Sequence, residues 1–114
     1  MDGAELILLY DYYGSLLTDR QRECFELRHN QDFSLGEIAT ELGISRQGVH
    51  DNLSRAEALL KNMEAKTGCV SRDRSCRNAA HQILALAQKL DSCSDPQIRE
   101  AAAAIRAIAK NLEE

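Results

Sequence analysis

The segment SLGEIATELGISRQGVHDNLSRAE, residues 34–57, decides how the chain is read. Ser34 followed three positions later by Glu37 has the capping-box arrangement, in which a hydroxyl and a carboxylate satisfy the first free amides of a helix. Leu35, Ile38, Ala39 and Leu42 recur at helical spacing and face inward. Gly43 supplies the left-handed residue that ends this helix, and Ser45 caps the next one. So short a joint forces a steep crossing of the two helices. The second helix, starting at Arg46, buries Val49, Leu53, Ala56 and Leu60. Its Gln47, His50, Asp51 and Ser54 point away from that stripe, and Arg46 and Arg55 flank it. Any surface helix has a polar face, so periodicity alone puts a solvated helix somewhat ahead. Two caps, a glycine hinge and a short joint together favour a helix-turn-helix. Its candidate nucleic-acid face is Ser45, Arg46, Gln47, His50, Asp51, Ser54 and Arg55.

Upstream, Thr18 and Gln21 repeat the capping box and predict a helix over residues 19–29. An earlier helix is expected over residues 4–16, with Leu6, Leu9, Tyr10, Tyr13 and Leu17 at helical spacing. Tyr10, Tyr12 and Tyr13 invite a base-stacking reading. Tyr10 and Tyr13 share the apolar side, however, which favours packing.

Downstream of Gly68, Ser71 is expected to cap a helix running to about residue 90, with Cys76, Ala80, Ile83, Ala87 and Leu90 as a coiled-coil-like seam. SCSDP breaks it. Asp95 then caps a last helix whose first residue is Pro96, where a missing amide costs nothing. That helix presents Ile98, Ala101, Ile105, Ile108 and Leu112, and the two stripes predict an antiparallel helical hairpin. The expected division is therefore a helix-turn-helix domain over residues 1–68 and a hairpin over residues 69–114, packed on the first domain or on a dimer partner. Arg72, Arg74 and Arg77 form the densest basic cluster, a secondary candidate for phosphate contact, although an exposed first turn with interspersed Asp73 is more often merely solvated.

Composition narrows the function. With one proline and no alternating β-branched run, the chain reads as all-α. There is no phosphate-cradling glycine loop, no HExxH pair and no strand to carry a nucleophile elbow, so no catalytic residue and no cofactor is expected. The four cysteines, Cys24, Cys69, Cys76 and Cys93, lack zinc-ligand spacing, even with His81 nearby. They read as reduced, mostly buried thiols rather than a metal site. No cationic leader and no membrane-length apolar run occurs, which fits a cytoplasmic protein.

LTDRQRECFELRH followed by FSLGEIATELGISRQGVHDNLSRAEALL resembles region 4 of bacterial sigma factors, the trihelical module that reads a promoter element. The segments YGSLLTDRQ, SLGEIA and SRQGVHDN are more similar still to the YlxM family of Gram-positive bacteria. The resemblance is strong over residues 6–63 and looser to the end. It implies an all-α fold, a sigma region 4-like helix-turn-helix module plus a C-terminal helical hairpin, and a regulatory protein whose partners are DNA or the RNA or protein of the signal recognition particle. Sigma region 4 commonly carries basic residues where this chain has Gly48 and His50.

Charge keeps an alternative open. The formal net charge is −4. Residues 1–68 hold seven Lys and Arg against twelve Asp and Glu, whereas residues 69–114 hold seven against six. Because the field of an acidic half repels phosphate, an adaptor that engages a protein or ribonucleoprotein competes with a DNA reader. Surplus apolar stripes, on the first helix and on the hairpin, further predict a homodimer built from those elements, with the Arg46 helix left free.

Overall fold

Helix boundaries follow the caps closely in the computed structural model, which describes residues 2–113. Six α-helices account for most of the chain, and no strand occurs among the described residues: α1 Gly3–Tyr13, α2 Asp19–His29, α3 Leu35–Leu42, α4 Arg46–Thr67, α5 Cys69–Lys89 and α6 Pro96–Glu113. A short 3₁₀ turn, Gly14–Leu16, replaces the last turn expected of the first helix. Gly14 lies against its own preceding turn there, where a Cβ would come within 2.9 Å of the Tyr10 ring. The chain divides into two compact units, residues 1–70 and 71–114.

Within the first unit α4 is the hub, and α1, α2 and α3 each pack on it. Val49, Leu53, Ala56 and Leu60 are all buried, as their spacing predicts. They serve two clusters. The first half of α4 meets Cys24 of α2 and Ile38 of α3, while Ala56 and Leu60 meet Phe25, Leu6, Leu9 and Tyr13. Phe25 is fully buried, and the Tyr10 ring stacks on it with centroids 4.6 Å apart. The tyrosines of α1 thus spend their aromatic surface on packing. The same is true of the apolar face of α1 as a whole: Leu6, Leu9, Tyr13 and Leu17 are core. This corrects the expectation that the first helix helps build a dimer, because its apolar face is already consumed inside the unit.

A second correction concerns the start of α5. Gly68 adopts the left-handed conformation at φ 63°, and α5 begins at the very next residue, two positions before the expected cap at Ser71. Glu64 does the work assigned to Ser71. Its carboxylate accepts the Val70 N–H at 3.0 Å, capping the start of α5, and the Tyr13 hydroxyl at 2.7 Å, both bonds lying within the first unit. The Tyr13 oxygen also lies 2.6 Å from Thr67 Oγ1.

In the second unit the hairpin forms as expected at its turn. Asp95 accepts the Gln97 N–H at 2.9 Å, and Pro96 opens α6. His81 pairs with Glu113 at 2.9 Å and Asp91 with Arg106 at 3.0 Å, which sets α5 and α6 antiparallel. The seam differs from expectation. Ala80 and Ala87 of α5 are buried as expected, but the rest of that stripe is not, and α6 buries Ala102 and Ala109, which lie outside its expected stripe. Ile98, Ile105, Ile108 and Leu112, expected to face inward, are 38% to 66% exposed, and Cys76, Ile83 and Leu90 are exposed too. Alanine lets helix axes come close, and the larger side chains then splay to the flanks of the contact.

The cysteines also depart from expectation. All four are free thiols, but only Cys24 is buried, where burial pushes its thiol pKa up. Cys76 is exposed, and Cys69 and Cys93 are half-buried.

Candidate nucleic-acid interface

Two capped helices and the joint between them position the face. Ser34 Oγ accepts the Glu37 N–H at 3.1 Å and the Glu37 carboxylate accepts the Ser34 N–H at 3.0 Å, closing the capping box. The Ser34 N–H, and after it the Ser34 hydroxyl, hold the Glu37 carboxyl below the ordinary carboxylate range. Gly43, at φ 66° with its N–H bonded to the Ala39 carbonyl, ends α3. Ser45 Oγ accepts the Gly48 N–H at 2.9 Å and starts α4. From α2, Arg20 reaches the Leu42 carbonyl at 3.5 Å, and Arg28 donates to the Phe33 carbonyl at 2.9 Å. These two arginines brace the segments on either side of α3.

The first three turns of α4 carry the exposed candidates: Arg46, Gln47, His50, Asp51, Ser54 and Arg55 are all solvent-facing. At about 100° per residue, Asp51 and Gln47 sit nearly opposite the buried Val49–Leu53–Ala56–Leu60 stripe. Arg46 and Arg55 fall on opposite edges of the exposed arc. Neither arginine forms an ion pair among the described residues. Gln47 Nε2 donates to Asp51 Oδ1 at 3.0 Å, and His50 Nδ1 lies 3.8 Å from the same oxygen. The i,i+4 spacing of Gln47 and Asp51 permits this linkage without specifying the rotamers that form it. Asn52 turns back on its own helix and donates to the Gly48 carbonyl at 2.8 Å.

Local charge differs from the charge of the unit. Residues 46–55 carry Arg46 and Arg55 against Asp51 alone, while seven of the twelve acids of residues 1–68 lie on α1, α2 and α3. Asp19, Glu23 and Glu26 line one groove along α2 together with Arg22, and Glu23, Glu26 and Glu41 line another beside Leu27 and Leu42. Arg72, Arg74 and Arg77 are exposed in the second unit, near the start of α5. Among the described residues no three potential metal ligands come together, and no helix is long and apolar enough to cross a membrane.

Comparison with known proteins meets this geometry. Residues 2–100 match the profile of the UPF0122 family, described as "Putative helix-turn-helix protein, YlxM / p13 like". The chain belongs to this family. It is 53% identical over 78 residues to a UPF0122 protein of Thermoanaerobacter sp. (strain X514), covering 68% of this chain and 67% of the relative. A UPF0122 protein of Acetivibrio thermocellus is 49% identical over 90 residues, covering 79% and 77%. One of Desulforamulus reducens is 44% identical over the same length, again covering 79% and 77%. The YlxM-like segments of the sequence lie within the matched residues.

Proposed function

We propose that this UPF0122 protein is a regulatory DNA-binding protein that lays the first three turns of α4 in a major groove. One observation carries the reading: two unpaired arginines, Arg46 and Arg55, stand on opposite edges of an arc whose middle holds the polar side chains Gln47 and Asp51. A helix in a groove has a phosphate wall on either side and base edges beneath it, so charges at the edges and hydrogen-bonding groups at the centre match that environment. Mixed-sequence duplex DNA titrated at several salt concentrations tests the reading. Binding that weakens steeply as salt rises supports it, and no binding at low salt contradicts it.

Acidic grooves along α2 and α3 favour a second reading, an adaptor that engages a basic protein or ribonucleoprotein partner. The resemblance to YlxM makes the signal recognition particle the candidate. Separate titrations with its RNA and its protein discriminate the two readings. Under either one, the exposed isoleucines and leucines of the α5–α6 hairpin support a homodimer that leaves α4 accessible, and a dimer would present two copies of the α4 face.

A further inference from the structure

Asp51 is the feature of this face that a simple phosphate-binding account leaves unused. A carboxylate repels phosphate, and Asp51 sits inside the arc, between Gln47 and Arg55, on the side of α4 opposite Val49, Leu53, Ala56 and Leu60. In a groove that position faces bases, not backbone. Of the four base edges in the major groove, guanine offers acceptors alone, whereas cytosine N4 and adenine N6 carry amino hydrogens. A carboxylate is acceptor-only when ionised, and Asp51 Oδ1 already receives one hydrogen from Gln47 Nε2 at 3.0 Å. The bond also fixes the Gln47 amide. One amide hydrogen is spent on Asp51, which leaves Oε1 and the second hydrogen to pair with a base.

We infer that Asp51 is a specificity-determining residue of this face: its carboxylate accepts from cytosine N4 in the major groove while orienting Gln47 toward the neighbouring base pair. This rests on the DNA-binding reading above. The cost of bringing a negative charge between phosphate walls is offset by Arg46 and Arg55 on either side, and it falls hardest on sequences that set guanine O6 and N7 or thymine O4, rather than an amino hydrogen, opposite the carboxylate. An acid in this place therefore excludes wrong sites as much as it attracts the right one.

Selection from a pool of randomised duplexes tests the inference, with wild type, Asp51→Ala, Asp51→Asn and Gln47→Ala compared at one salt concentration. Wild type is expected to select cytosine at one position. Asp51→Ala is expected to lose that preference by about tenfold, the usual worth of one good base contact, while binding unselected DNA more tightly. Asp51→Asn, which offers a donor beside its acceptor, is expected to move the preference toward adenine. A change of base is an outcome that a merely structural role would not produce. Cytosine preference surviving in Asp51→Ala overturns the inference, as does wild-type binding without base preference, and both results leave DNA binding itself standing. Failure of wild type to bind any duplex overturns the inference and the DNA-binding reading together.

Discussion

Single side chains in this protein take their properties from one or two neighbours. Tyr10 is the clearest case: burial beside Phe25 and its hydrogen bond to the Glu26 carboxylate raise its phenol to about 12 from an ordinary 10. A phenol with a raised folded pKa contributes stability that is fully present below pH 10 and is lost as pH rises through about 12. Glu26→Gln is expected to shift this titration back toward the ordinary value, read by ultraviolet absorbance against a Tyr10→Phe control; an unmoved titration would show that Glu26 plays no part. Phe25, fully buried between α1 and α4, anchors the same contact. Phe25→Ala is expected to cost about 3–5 kcal/mol in denaturant unfolding, and a loss under 1 kcal/mol would mean that the site collapses around the smaller side chain.

Elements were legible wherever a cap or a regular stripe marked them. Thr18 with Gln21, Ser34 with Glu37, Gly43, Ser45 and Asp95 each announce a helix end in the sequence, and each ends or starts a helix in the structure. Ser71 misled because a hydroxyl is only one of the groups able to cap. Glu64, seven residues upstream and reaching across the α4–α5 joint, cannot be singled out by local spacing. The hairpin seam misled for a related reason: isoleucines at heptad spacing look like a core, yet the close approach goes to alanines, and size complementarity between two helices is not written in either one alone. On the candidate face, the outward residues were readable from periodicity, but the Gln47–Asp51 bond depends on rotamers that no pattern records. Two predictions belong at this scale. Because the folded Glu37 carboxyl is held down by its bonds to Ser34, its contribution is present above about pH 4.5 and lost as pH falls through the lowered folded value. Glutamine serves the same position in the Thr18–Gln21 box, so Glu37→Gln should keep α3 folded and flatten the acid limb of stability against pH. An unchanged limb would remove Glu37 from the account. Gly43→Ala meets no atom within 4 Å, so its cost is backbone strain alone, roughly 1 kcal/mol in thermal or denaturant unfolding, and a neutral result would mean the joint relaxes freely.

For the whole molecule, surface charge and apolar exposure suggest a division of labour. The first unit carries seven Lys and Arg against twelve Asp and Glu through residue 68, yet its α4 face keeps two unpaired arginines. The second unit leaves Leu86 and Ile108 more than 60% exposed. If those side chains meet a second copy, light scattering at micromolar concentration should give a dimer mass for wild type and a monomer mass for the Ile105→Asp, Ile108→Asp double variant; a wild-type monomer would contradict the dimer. The central claim is that α4 holds DNA between Arg46 and Arg55. It is tested most directly by titrating wild type and the Arg46→Ala, Gln47→Ala, Arg55→Ala triple variant against the same duplex across a salt series. The account predicts that the triple variant binds more weakly at every salt concentration, with a log–log salt slope smaller by roughly 2 for the two lost phosphate contacts. Equal affinity and equal slope for the two proteins would contradict it.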